Sequence, residues 1–534
     1  NQGFKDQRVF SNYGAILKDL CKLKEAENCY RKAIKLNPNY ANAHSNLGNL
    51  LRGLGKLQEA EISYRKAIEL NPDFADAHSN LGNILKDLGE LQEAEASTRK
   101  AIEINPNVAI THANLGIILR DLGKPEEAEL SLKKAIEINP NFTNAYFNLF
   151  HHYEKTNNLK QLKDSLKEFK NINNIENELL LFGSRLCFRN KDYTTSQKLI
   201  NSISTKWIEK SNHSEKILFW SYKAFIEDKV GNFDIAYSCF EKSQDESSYA
   251  RFSQDSYLNL IDSYKESIIN KTRNINQFND DIEDINLTFL IGFPRSGTTL
   301  LDTILRSHPD IEVIEEKPLI STIEKIIEER FKTKIENIFN ISEDNIMILR
   351  QKYFELLMEY KNKDASLIID KLPLNTVSLP LINLLFPKAK IIFTHRHPYD
   401  TILSCFQQSF KPNEAMANLI SLKSSSRMYD QVMIAWDIYK NNLPLKYITS
   451  KYENLINNFD SHILTVLNFL GVGWDENVKS YRKTALERKK INTPSSSQVI
   501  QPLYKSSIDK WKNYEKYFED YHQYLEKWVS YFDY

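Results

Sequence analysis

At 534 residues the chain is long enough for three or four domains with large cores. Seventy basic side chains balance seventy acidic ones, so no whole-chain field draws it to nucleic acid or to an anionic membrane, and any phosphate must be held by a local site. The cysteines (Cys21, Cys29, Cys187, Cys239 and Cys405) are odd in number, scattered and form no Cys-x-x-Cys pair, which argues against a disulfide framework or a zinc site and for a reducing, cytoplasmic setting. No run approaches the ~18 apolar residues of a membrane helix, and the N-terminus has no basic-then-apolar signal. The chain begins at Asn1 rather than Met, which leaves a removed leader open.

In chain order, the first feature is a repeat. Asn37-Pro38, Asn71-Pro72, Asn105-Pro106 and Asn139-Pro140 recur at a step of 34 residues, with Leu47, Gly48, Ala60, Tyr64 and Ala67 returning as Leu81, Gly82, Ala94 and Ala101, then as Leu115, Gly116, Ala128 and Ala135. Small residues admit close helix approach, large ones fill the gaps, and the prolines end each unit. The pattern resembles tetratricopeptide repeats, which implies an all-α solenoid over residues 1–154 with a concave face for an extended partner. Asn12, Asn46, Asn80, Asn114 and Asn148 keep the same step. Such a row, of which Asn46, Asn80 and Asn114 are the central members, is read in two ways: it binds an extended polypeptide backbone, or each Asn bonds a neighbouring helix. Residues 155–280 read as degenerate helical repeats, with units at 179–200 and around Trp220, Ala236 and Phe240, followed by a polar linker.

The region 281–534 reads as an α/β domain. Leu287 to Ile291 is a buried strand, Gly292 to Gly297 a tight turn, and a helix begins near Thr298. A strand feeding a glycine turn at a helix N-terminus aims backbone N–H groups at one point and cradles an anion. A Walker loop would carry lysine where Thr298 stands, and here the cation, Arg295, lies inside the loop, which disfavours a nucleoside triphosphatase or kinase. Helices follow to about Tyr360, then a strand at 366–369, a loop at 370–373, a helix to Phe386 and a strand at 390–394, an alternation that predicts a parallel sheet with ligands at the carboxyl ends of its strands. Tyr447 to Glu453 is expected to be a further strand.

Pro294-Arg-Ser-Gly-Thr-Thr-Leu300 resembles the 5′-phosphosulfate loop of sulfotransferases that use PAPS (3′-phosphoadenosine 5′-phosphosulfate). Residues 389–405, strand then turn then helix, resemble the 3′-phosphate motif of that family, with Arg396 and Ser404 as its contacts. The stretch 308–318 resembles the tyrosylprotein branch, which implies Glu316 as the base, with Glu315 in reserve; 370–373 matches its Lys-Asp-Pro-like loop and implies Lys371 as the cation at the bridging oxygen. The branch places an arginine four residues after the serine, where this chain has Gln408. The resemblance further implies Ser296, Gly297, Thr298 and Thr299 beside Arg295 at the 5′ end, Tyr452 against the nucleotide, and a closing loop with Ser497 and Lys510. No metal is expected: no acidic cluster follows a strand, and there is no His-x-x-x-His. His395 and His397 read as packing or loop residues.

The expected protein is thus multidomain: a tetratricopeptide solenoid that recruits a polypeptide, joined to a P-loop-like α/β sulfotransferase domain. It is expected to transfer sulfonate from PAPS to a hydroxyl, a protein tyrosine first and a glycan or small molecule as the alternative.

Overall fold

The computed structural model of the chain describes residues 6–247, 252–271, 286–361, 363, 365–488, 499–503 and 505–534. Packing divides it into two units, Asn1–Trp207 and Ile208–Tyr534. The division falls inside the segment 155–280 that the sequence reading set apart.

The first unit is an all-helical solenoid of antiparallel hairpins such as Ala41–Gly53 with Leu57–Leu70 and Ala75–Leu88 with Leu91–Ile104. The small residues of the repeat do what their spacing implies. A Cβ on Gly48 would lie 2.8 Å from a ring carbon of Tyr64, so only glycine lets that hairpin close. The next two repeats fill the same contact with Thr98 and Leu132. Polar side chains repeat as faithfully: His44, His78 and His112 each reach the carbonyl of Pro38, Pro72 and Pro106 at 2.8–2.9 Å. Arg65 joins Glu61 in its own helix to Glu93 in the next repeat, and Arg99 joins Glu95 to Glu127 in the same way. The unit at 179–200 is the helix pair Glu176–Arg189 and Tyr193–Asn201.

The second unit is built on a parallel sheet of five strands: β1 (Asn286–Gly292), β2 (Ile311–Glu315), β3 (Leu367–Lys371), β4 (Lys390–His395) and β5 (Lys446–Lys451), in the order β2-β3-β1-β4-β5. Neighbouring residues serve opposite faces. Leu290, Ile369 and Ile392 join one apolar core with Leu301, Leu305 and Val466, whereas Phe289, Ile291, Ile368 and Phe393 join the other. Burial on both faces is why β1, β3 and β4 read as apolar runs. Helices His213–Lys229, Phe233–Asp245 and Gln254–Ile269 belong to this unit, since Ala224, Phe240, Ile261 and Tyr264 share the second core.

Three local expectations change. Ile311–Glu315 is a strand where none was assigned, because Glu312 and Glu315, which look solvated in sequence, are buried with partners far along the chain. Asp370 and Lys371 end β3 instead of forming a loop, and Tyr452 opens the helix Tyr452–Asn457 instead of ending a strand. Among the described residues no helix is long and apolar enough to cross a membrane.

Candidate active site

β1 is the central strand, and its carboxyl end delivers the chain into the turn at 293–297. Two backbone features shape that turn. Gly297, at φ 101°, starts the helix Thr298–Arg306, and a Cβ there would lie 2.7 Å from the Tyr452 ring. Arg295 stands at φ 70°, a left-handed conformation that costs a non-glycine residue about 1–3 kcal/mol and persists only where its surroundings fix it. The opening turn of a helix has no internal acceptors for its N–H groups, so the cradle ends in donors suited to an anion. Ser296, Thr298 and Thr299 are buried, and the Ser296 hydroxyl is joined to Thr394 Oγ1 at 2.7 Å, which ties the turn to the end of β4.

β4 pairs directly with β1, Gly292 opposite Thr394, so the second motif begins beside the first. Arg295 Nε donates to Ser404 Oγ at 3.0 Å, linking the two motifs across 109 positions of sequence. Arg396 lies over the Tyr452 ring at 5.0 Å and donates to the carbonyl of Ser507, while its buried Nε has no hydrogen-bond partner among the described residues. Tyr452 OH meets Ser507 Oγ at 3.0 Å. Asp400, on the helix that carries Ser404, accepts from the amides of Asp509 and Trp511 at 2.8 and 2.9 Å and holds the 507–511 segment in place. Arg295, Gly297, Arg396, Ser404 and Tyr452 therefore converge.

On the other side of β1 lies the charge cluster. β3 pairs with both β1 and β2, which sets Lys371 opposite Leu290 and Glu315, and the Glu316 amide donates to the Lys371 carbonyl at 2.8 Å. Lys371 is fully buried and bonds Glu316 Oε1 at 2.8 Å, with Glu315 at 3.5 Å and Asp302 at 3.9 Å. Glu316, at φ 49°, is the second non-glycine residue of the site in the left-handed region, and 27% of its side chain is exposed. Burial pushes the Glu316 carboxyl above the usual range against the pull of Lys371, which favours accepting a proton. Burial alone would lower Lys371, but Glu316, Glu315 and Asp302 outweigh it and hold the ammonium charged. Burial raises Asp302, whereas for Glu315 the charges of Lys371, Arg488 and Arg306 overcome burial and hold it low.

Other expected residues stand apart. Lys510 Nζ meets Asp228 at 3.0 Å and Gln407 Oε1 at 2.9 Å, beside the end of the Ser404 helix. Ser497 lies outside the described residues. In the solenoid, Asn46 Nδ2 donates to Ser11 Oγ of a neighbouring helix at 3.1 Å, and Asn148 Nδ2 to Asn144 of its own helix; Asn80 and Asn114 are half-buried. The sequence reading missed Asp302, Arg488, Asp400 and Ser507. Only Asp302 left a local trace, as the one acidic residue in the otherwise apolar and threonine-rich stretch 298–305.

A helix-start turn with Arg295, a buried Arg396 with an unused donor, and a carboxylate–ammonium pair, all at the carboxyl ends of parallel strands, are the parts of a group-transfer site. Residues 288–476 match the sulfotransferase family model, and 14–55, 48–89 and 73–141 match tetratricopeptide repeat models. Residues 288–476 are a sulfotransferase-family domain. An uncharacterized protein of Aquifex aeolicus is 30% identical over 237 residues, 43% of this chain and 31% of its own length. Protein-tyrosine sulfotransferase 1 of Danio rerio is 25% identical over 247 residues, 43% of this chain and 66% of its own. This chain thus spans from about a third to about two thirds of the length of these relatives. A tetratricopeptide repeat protein from Parabacteroides merdae resembles 46% of this chain and 94% of its own at 19% identity, with a TM-score of 0.39. The Lys371 cluster, Arg295, Arg396, Ser404 and Tyr452 all lie within the sulfotransferase domain; Arg488, Ser507 and Lys510 follow the matched span.

Proposed function

We propose that the sulfotransferase domain moves a sulfonate from PAPS to a tyrosine hydroxyl on a polypeptide that the repeats recruit. The observation that carries this reading is the 2.8 Å pair of Glu316 and Lys371 beside the β1 cradle. The residues present suit the donor: a glycine cradle whose closeness to Tyr452 excludes any Cβ, and a buried Arg396 guanidinium that keeps one donor unused. When bound, PAPS supplies a sulfonate already joined to a good leaving group, the nucleotide 5′-phosphate.

The protein's own groups divide the remaining work. Arg295 and the amides of residues 297–299 hold the 5′-phosphate, and Arg396 with Ser404 holds the 3′-phosphate, so both ends of the nucleotide are fixed before reaction. Glu316 takes the proton from the acceptor hydroxyl, whose oxygen forms the new bond to sulfur. The sulfur–oxygen bond to the 5′-phosphate breaks, its electron pair stays on the phosphate oxygen, and Lys371 with Arg295 faces that charge. A phenol with an ordinary pKa of about 10 is a weak nucleophile until its proton is taken, and a placed base contributes about 10²- to 10⁴-fold. The tetratricopeptide repeats and the relative named for protein-tyrosine transfer both support a polypeptide acceptor.

Three measurements test this. Adenosine 3′,5′-bisphosphate raises Tm without magnesium, and a larger shift with ATP and Mg²⁺ would point to a kinase instead. ³⁵S-labelled PAPS labels a tyrosine-bearing peptide, and label confined to carbohydrate would move the acceptor to a glycan. Glu316→Gln lowers transfer by at least about 10²-fold and leaves nucleotide binding intact; wild-type activity would assign the base elsewhere.

A further inference from the structure

The Lys371 ammonium has three N–H donors on a side chain with no solvent exposure. One goes to Glu316 Oε1. Two further carboxylate oxygens face the same ammonium from beyond hydrogen-bond distance, Glu315 Oε1 at 3.5 Å and Asp302 Oδ2 at 3.9 Å. Both are buried, and neither accepts a hydrogen bond from any described residue. Their sister oxygens are anchored: Arg306 Nε holds Asp302 Oδ1 at 3.0 Å, and Arg488 holds Glu315 Oε2. Each carboxylate is thus fixed by an arginine on one side and turned toward Lys371 with the other.

A buried acceptor without a donor has lost its water for nothing, and native proteins keep few of them. Two of them, aimed at one lysine that is bonded to a third carboxylate, describe a position the ammonium can occupy. Of the three carboxylates, Glu316 is the one whose side chain is open to solvent at 27%, against 5% for Glu315 and none for Asp302.

We propose that Asp302 and Glu315 form a second berth for the Lys371 ammonium, entered when an acceptor hydroxyl takes its place on Glu316. The exchange is one donor for another on Glu316, while Lys371 trades one acceptor for two and keeps its third N–H for the departing phosphate oxygen. No covalent bond changes in the exchange, and the lysine stays charged throughout. Asp302 is then a positioning residue for a reaction it does not touch, and Arg306 and Arg488 keep the berth aimed. The inference rests on the reading of Glu316 as the base.

The first test needs no activity. In a crystal structure of Glu316→Gln without ligands, the amide is a weaker acceptor for an ammonium than the carboxylate, so Lys371 Nζ moves to within hydrogen-bond distance of both Glu315 Oε1 and Asp302 Oδ2. An Nζ that stays on the residue 316 side chain, short of both oxygens, overturns the berth. The second test separates positioning from mere support: Asp302→Asn lowers kcat about tenfold at unchanged donor KM and an unchanged Tm shift with adenosine 3′,5′-bisphosphate. Should that variant fold poorly, the charge-balanced pair Glu315→Gln with Arg488→Gln gives the same split, and wild-type kcat in a folded variant counts against the berth. If wild-type protein labels no acceptor, the reading of the function fails, and the Glu316→Gln structure still decides the berth.

Discussion

Asp370 and Lys371 are adjacent on β3, and the pleat sends them to opposite faces. Lys371 enters the charge cluster, whereas Asp370 is buried on the other side with the Tyr353 hydroxyl donating to it at 2.8 Å. Burial pushes the Asp370 carboxyl up to about 7, against about 3.9 in an unfolded chain. Its folded-state pKa is raised, so the folded protein holds the proton more tightly, and stability drains away as pH climbs from about 4 through 7. Asp370→Asn removes that loss while keeping an acceptor for Tyr353. Its thermal unfolding should show an advantage over wild type at pH 8 that shrinks by about 2–3 kcal/mol by pH 5, at about 1.4 kcal/mol per pH unit. A pH-independent difference would show that the carboxyl titrates normally. In sequence the two residues look like one polar loop, since the motif fixes their types but not the face each serves.

At the scale of an element, the turn at 292–297 shows how much is written locally. Its glycine spacing, its arginine and the helix start at Thr298 were all legible, because strand, turn and helix N-terminus are each decided by residues a few positions apart. Which ring packs on Gly297, and what holds that ring in turn, was not. The Tyr452 ring, expected near the nucleotide, rests on Gly297 from a helix more than a hundred residues on, while Ser507 behind that ring and Arg488 on Glu315 arrive from farther still, with no local pattern to mark them. β2 was hidden for the same reason: Glu312 looks like a solvated charge until the amide of Lys363 is seen to donate to it at 2.9 Å. The turn also gives a sharp test. Gly297→Ala places a methyl in a left-handed backbone and against the Tyr452 ring, at a cost of about 1–3 kcal/mol for the backbone alone. The expected result is loss of the Tm shift produced by adenosine 3′,5′-bisphosphate, with the helical far-UV circular dichroism retained. An undiminished shift would mean that the turn is not where the nucleotide sits.

Across the whole molecule the two units are wired differently. The solenoid is made of contacts between neighbouring hairpins, and its period could be read directly because every repeat solves the same packing problem. The sheet is made of distant ones: β1 pairs with β3 and β4, roughly 80 and 100 residues later, and distant pairing folds slowly. Five of the six tryptophans (Trp220, Trp436, Trp474, Trp511 and Trp528) lie in the second unit, and Trp436 stacks on Phe393 of β4 with centroids 4.0 Å apart. On refolding from denaturant, part of the 222 nm ellipticity should therefore return before the tryptophan fluorescence. Coincident phases would mean that the units fold as one.

The central place of β1 in its sheet has a consequence on the ribosome. Repeats can close as they emerge, but this strand leaves the tunnel with its neighbours unmade and waits roughly 5–20 s for β4 at ordinary elongation speeds. Until β3 emerges Leu287 to Ile291 carries two bare edges, and one of them stays a template for any passing strand until β4 follows. A message cut short before the codon for Lys390 should yield aggregates, and one cut between repeats should yield soluble protein.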